Sequence, residues 1–121
     1  MGADLMGNPQ KLKGDRAERQ VVDWLRSQGI PAERVRSGRS TDAGDITWPG
    51  SRWLVDVKNR QRWAVPEWWR EITAEAEVEE HRTGIPVAPL LIVKRPGVVN
   101  PALWLAITSL SEWADGNRST P

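Results

Sequence analysis

The sequence predicts an α/β protein with a central mixed five-stranded sheet flanked by helices. Helical and strand periods follow one another in the order α-β-β-β-α-β-β-α, and segments of both kinds connected by short turns pack as helices on a sheet. Two apolar runs late in the chain, residues 87–94 and 102–108, suit buried strands. A length of 121 residues allows one hydrophobic core, so a single domain is expected over 1–121, with an ordered core from about 13 to 114 and short tails.

Each element has a local reason. Over residues 15–28, Ala17, Val21, Val22, Leu25 and Trp24 recur at helical spacing, and Gly29 with Pro31 stops the helix. Residues 32–36 suit a short strand, SGRSTDAG a polar loop, and residues 46–48 a second strand. Pro49-Gly50 is a turn, and residues 52–59 alternate β-branched and aromatic side chains as a strand does. Pro66 stands at the first turn of a helix running to about Arg82, with Gly84 past its end and Val65, Trp69, Ile72 and Ala76 as its apolar stripe. Trp68 and Trp69 point about 100° apart on a helix, so one is expected on the sheet and the other under a loop or in a subunit interface. Ser109 through Glu112 is a capping-box pattern opening a last short helix.

Composition removes whole classes of chemistry. There is no Cys and one His, His81, so disulfides, thiolate zinc, iron–sulfur clusters, cysteine nucleophiles and multi-histidine metal sites are excluded. No apolar run approaches the roughly 20 residues of a membrane span, and the first residues carry no secretory signal; a cytoplasmic protein is expected. Leu, Ile and Val number 26, with no Phe or Tyr, so the eight Trp carry much of the apolar bulk. Residues 1–70 hold 13 Lys and Arg against 9 Asp and Glu, while residues 71–121 hold 4 against 7. The basic half is where an anionic partner would bind.

The informative stretch is Gly44-Asp45 and, ten residues later, Val55-Asp56-Val57-Lys58. Alternation along a strand puts Asp56 and Lys58 on one face and Trp53, Val55 and Val57 on the other. If the two strands pair as a hairpin, Asp45 comes alongside Asp56, and two carboxylates facing one point suit a hard divalent cation. Glu18, at the border of the first helix's apolar face, is a third acid directed toward the sheet. Each residue also has a simpler reading: Asp15-Arg16-Ala17-Glu18 is a capping box, Asp45 a turn residue, and Asp56 with Lys58 a surface ion pair. Lys11, Lys13, Arg16, Arg39, Arg60 and Arg62 flank the site in sequence and can extend a phosphate-binding rim. Ser37 and Ser40, in the loop before Asp45, suit phosphate contact but have no base partner for nucleophilic chemistry. His81, at a helix end, is assigned no role.

Glu18, Gly44-Asp45 and Asp56-Val57-Lys58, in this order and on these element types, resemble the PD-(D/E)xK nuclease superfamily, and more narrowly the archaeal-type Holliday junction resolvases of the Hjc family. The resemblance also takes in Lys13-Gly14, Ala17-Glu18-Arg19, Arg36-Ser37-Gly38, Ile46, Gly84-Ile85-Pro86-Val87, Val93-Lys94 and the stretch from Trp104 to Ile107. Gly44 stands in place of the signature proline and Asp56 in place of the usual glutamate, and the second helix is unusually rich in Trp and Glu. The resemblance implies a restriction-endonuclease-like core and Mg2+-dependent nicking of four-way DNA junctions by a homodimer, with related nucleases cutting flaps, ends or duplexes as the alternative and a non-catalytic DNA-binding module on the same fold as a third reading. By the same resemblance Glu18, Asp45, Asp56 and the Val57 carbonyl would bind Mg2+, for which Mn2+ can substitute, and Lys58 would orient or activate the attacking water. Arg19 and Arg36 match positions associated with catalysis and with holding the phosphate backbone. The small size and the Arg, Pro and Trp usage fit a phage or a bacterium with a GC-rich genome.

Overall fold

A computed structural model describes residues 9–35 and 44–119, the side chains of residues 10 and 11 excepted. The described elements are α1 (Pro9–Ser27), β1 (Glu33–Arg34), β2 (Ile46–Thr47), β3 (Trp53–Lys58), α2 (Val65–Thr83), β4 (Ala88–Val93), a 3-10 turn (Pro101–Leu103), β5 (Leu105–Ile107) and α3 (Leu110–Gly116). The strands form one five-stranded sheet in chain order. All neighbours are antiparallel except β3 and β4, which run parallel with Trp53 opposite Ala88 and Lys58 opposite Val93. A parallel pair needs a crossover, and α2 supplies it. The mixed sheet flanked by helices is the one the sequence predicts.

Each face of the sheet has its own core. On one side Ala17, Val21 and Val22 of α1 pack with Ala32, Ile46, Val55, Val57 and Trp104. On the other, Trp68, Ile72 and Ala76 of α2, one residue per turn, pack on Leu54, Leu91 and Val93. Central strand β3 is therefore covered on both faces, and Asp56 is its buried charged residue. No helix among the described residues is long and apolar enough to cross a membrane.

Some local expectations change. Helix α1 begins at Pro9, six residues before Asp15, because proline is tolerated in a first turn and the basic stretch after it, with no apolar period of its own, extends an already anchored helix. Trp68 rather than Trp69 is the central tryptophan of α2; Trp69 is half-buried against the same cluster. Strand β5 is shorter than the predicted 102–108 and is not buried: Leu105 and Ala106 are exposed. It is the sheet edge, and nothing in its own sequence supplies a covering layer. The Ser109 cap forms, its hydroxyl accepting the Glu112 amide at 3.1 Å, while the Glu112 carboxylate pairs with Arg52.

Candidate active site

The site is built where β2 leaves β3. Ile46 is paired with Val55, a register that brings Asp45 opposite Asp56. There the ladder ends. The Asp45 amide donates to the Val55 carbonyl at 2.7 Å, and its carboxylate Oδ2 accepts the Val57 amide at 2.8 Å. The carboxylate thus takes the place of the next strand residue, in a charge-assisted hydrogen bond. Backbone groups of alternate residues face the same neighbour, so the Val57 carbonyl is directed to this edge as well. On its other side Asp45 is tied to β1 by the Val35 amide, which donates to the Asp45 carbonyl at 2.9 Å.

Gly44 makes the approach possible. Its φ is +79°, and a Cβ on it would lie 2.7 Å from the Val55 carbonyl oxygen. A proline, with φ locked near −65°, does not fit this backbone, so the departure from the signature proline has a conformational counterpart.

Glu18 comes to the same edge from α1. Because α1 starts at Pro9, Asp15 and Glu18 lie inside the helix and form no capping box. Both carboxylates turn instead to Arg34 of β1. Its Nε donates to Glu18 Oε1 at 3.1 Å, and its Nη2 lies 3.1 Å from the same oxygen and 3.0 Å from Asp15 Oδ1. Burial, and then the charge of Asp45, push the Glu18 carboxyl up to about 7 against the pull of Arg34. Glu18 and Asp45 are near enough to repel one another. Two crowded carboxylates beside a backbone carbonyl are an all-oxygen donor set of the kind a hard divalent cation takes, so these residues fit such an ion.

Asp56 and Lys58 share a face of β3, as alternation requires. It is the face of Leu54, under α2, whereas Val55 and Val57 lie under α1. The side chain of Asp56 is therefore on the far side of the strand from Glu18, with Asp45 at the edge between them. Among the described residues no three His, Cys, Asp or Glu side chains are grouped closely enough to hold a metal ion. The expected convergence of Glu18, Asp45 and Asp56 on one point is thus present for the first two. The physical reason is the alternation of β3, which puts Asp56 on the α2 face while Glu18 comes from α1.

Three of the expected phosphate-binding residues do come together. Lys13, Arg16 and Arg60 line a cleft of about 430 Å³ with Asn59 and Lys94, and the Asn59 side-chain amide donates to the Lys13 carbonyl at 3.4 Å. Lys94 has no counterpart in the rim expected from the sequence. It follows β4, where Val93 is paired with Lys58, and its ammonium lies 5.3 Å from the ring centre of Trp104. The signal was a cation directly after the late buried strand. Arg19 and Arg62 are exposed and line no part of the cleft. Arg36, Ser37, Arg39 and Ser40 lie outside the described residues, as does the side chain of Lys11. Arg34, which organises Glu18, was not singled out, because nothing in the pattern ties it to a residue 16 positions away.

No protein-family model and no curated protein matches the chain. Among solved structures it is similar to Hjc from Archaeoglobus fulgidus, a Holliday junction resolvase from an archaeal hyperthermophile, at 22% identity and a TM-score of 0.54 over 79% of this chain and 72% of that one. The chain has the restriction-endonuclease-like α/β fold of that protein.

Proposed function

We propose that this chain is a Mg2+-dependent DNA endonuclease that resolves four-way junctions by paired nicks as a homodimer. The observation that carries the reading is the Asp45 carboxylate fixed on the Val57 amide, at an edge reached by Glu18 from one face of β3 and opposite Asp56 in register. The fold shared with an archaeal junction resolvase supports it.

Glu18, Asp45 and the Val57 carbonyl would hold the cation, and Asp56, which does not meet them among the described side chains, would have to turn to the same edge to complete the set. A bound divalent ion lowers the pKa of a water and offsets the charge that builds on the phosphate. Lys58, two residues from Asp56 on the same face, donates a hydrogen bond to the attacking water and keeps it in line with the bond to be broken. The water oxygen would bond phosphorus as the phosphorus–oxygen bond to the sugar breaks, the water's proton passing to solvent and the departing sugar oxygen taking a proton from solvent. Lys13, Arg16, Arg19, Arg60 and Arg62, with Arg36, Ser37 and Arg39, hold phosphates and read no bases. Two sites related by a twofold axis match the twofold character of a junction.

Asp56→Asn and Lys58→Ala test the assignment. Each should still bind a four-way junction and nick it at least about 100-fold more slowly, a barrier increase of about 2.7 kcal/mol. Cleavage at the parent rate by either variant contradicts it.

A further inference from the structure

We propose that Arg34 is a positioning residue that holds the Glu18 carboxylate in the orientation the cation site needs. The inference rests on the reading of Glu18 and Asp45 as cation ligands and adds a residue to it.

Three observations carry it. The guanidinium meets Glu18 at one oxygen only: Nε and Nη2 both lie 3.1 Å from Oε1, which leaves Oε2 outside the fork. Its far end is anchored, since Nη2 also reaches Asp15 Oδ1 at 3.0 Å, one turn earlier on α1. And β1 serves both carboxylates at once. Arg34 pairs with Ile46, the residue after Asp45, while the Val35 amide holds the Asp45 carbonyl at 2.9 Å. One two-residue strand thereby sets the distance between a carboxylate on α1 and a carboxylate at the start of β2.

Stability alone does not account for this arrangement. Arg34 is one-third exposed, and exposed ion pairs contribute little to folding. The fork instead restricts the rotamers of a glutamate whose neighbour, Asp45, repels it. Groups that orient ligands in this way typically alter metal affinity by about 10- to 100-fold when removed. Lysine at this position would keep the charge and lose the planar fork, which separates positioning from simple electrostatics.

The test is Mn2+ binding to the DNA-free protein by calorimetry, alongside Mn2+ dependence of nicking. Arg34→Lys should weaken Mn2+ binding about tenfold or more, while nicking at saturating Mn2+ stays within about threefold of the parent. Arg34→Gln should weaken it as well, although removing a positive charge would by itself tighten a cation. Unchanged affinity in Arg34→Lys, or tighter binding in Arg34→Gln, overturns the proposal. If Arg34→Lys folds poorly, Arg34→Gln decides alone: weaker Mn2+ binding, against the sign that its lost positive charge imposes, supports positioning, and unchanged or tighter binding overturns it. Asp45→Asn is the control for the underlying reading. A parent that binds no Mn2+, or Asp45→Asn binding it as well as the parent, contradicts the cation site itself, and the role of Arg34 toward it falls too.

Discussion

The Asp45 carboxylate accepts the backbone amide of Val57 at 2.8 Å, so the residue expected to bind a cation also closes the hydrogen-bond ladder of the central strand. These two duties separate on substitution. Asp45→Asn keeps an oxygen able to accept the Val57 amide, so the fold should survive with a stability change of about 1 kcal/mol. The charge is lost, and nicking should fall at least about 100-fold. Denaturant melts and single-turnover cleavage measure the two effects on one preparation.

Gly44→Ala should act in the opposite manner, on stability first. The left-handed φ of +79° and a Cβ 2.7 Å from the Val55 carbonyl together make an unfavourable contact with backbone. A loss of about 1–3 kcal/mol is expected, read as a lower melting temperature by circular dichroism. Gly44→Pro should lose more, because its φ is incompatible.

Stability should fall as pH rises in the absence of divalent cations. Between the ordinary value of 4.5 and about 7, folded Glu18 retains a proton that the unfolded chain has released. Folding then takes up a proton, and each step up in pH disfavours it. The contribution is lost through this window and stays lost above it. Thermal melts from about pH 5 to about pH 8 should show the decline, Glu18→Gln should flatten it, and added Mg2+ should stabilise more at the upper end than the lower.

The cleft lined by Lys13, Arg16, Arg60 and Lys94 should bind DNA through phosphates. Lys94→Ala and Arg60→Ala should each weaken binding to a similar degree for different base sequences, and each should reduce the slope of log affinity against log salt by about 1. Fluorescence anisotropy at several salt concentrations provides both quantities. A loss confined to one base sequence would argue against phosphate contact.

How much of this was readable beforehand depends on the range over which each signal acts. Strand β3, expected at residues 52–59 and found at Trp53–Lys58, announces itself by alternation. Helix α2 is bounded by Pro66 and Gly84, whose φ of +73° ends it as a left-handed cap. These are local signals. The start of α1 at Pro9 carries only its proline as a local signal, because Gly14 and the surrounding cations interrupt the apolar period that would have extended the helix back to it. The exposure of Leu105 was unreadable for another reason: an apolar run does not say which neighbour covers it. In the candidate site, Glu18, Asp45, Asp56 and Lys58 were identified from type and spacing. That Asp45 comes alongside Asp56 was expected on the condition that the two strands pair as a hairpin, whereas the turn of Asp45 out of the ladder and the fork of Arg34 on Glu18 depend on contacts 12 and 16 residues apart.

The most direct test of the proposed function is nicking of an immobile four-way junction and a linear duplex of matched sequence, each with Mg2+ and with a chelator. Paired, symmetric nicks confined to the junction and abolished by the chelator are predicted. Equal cutting of both substrates, or tight junction binding with no Mg2+-dependent cut, would contradict the account.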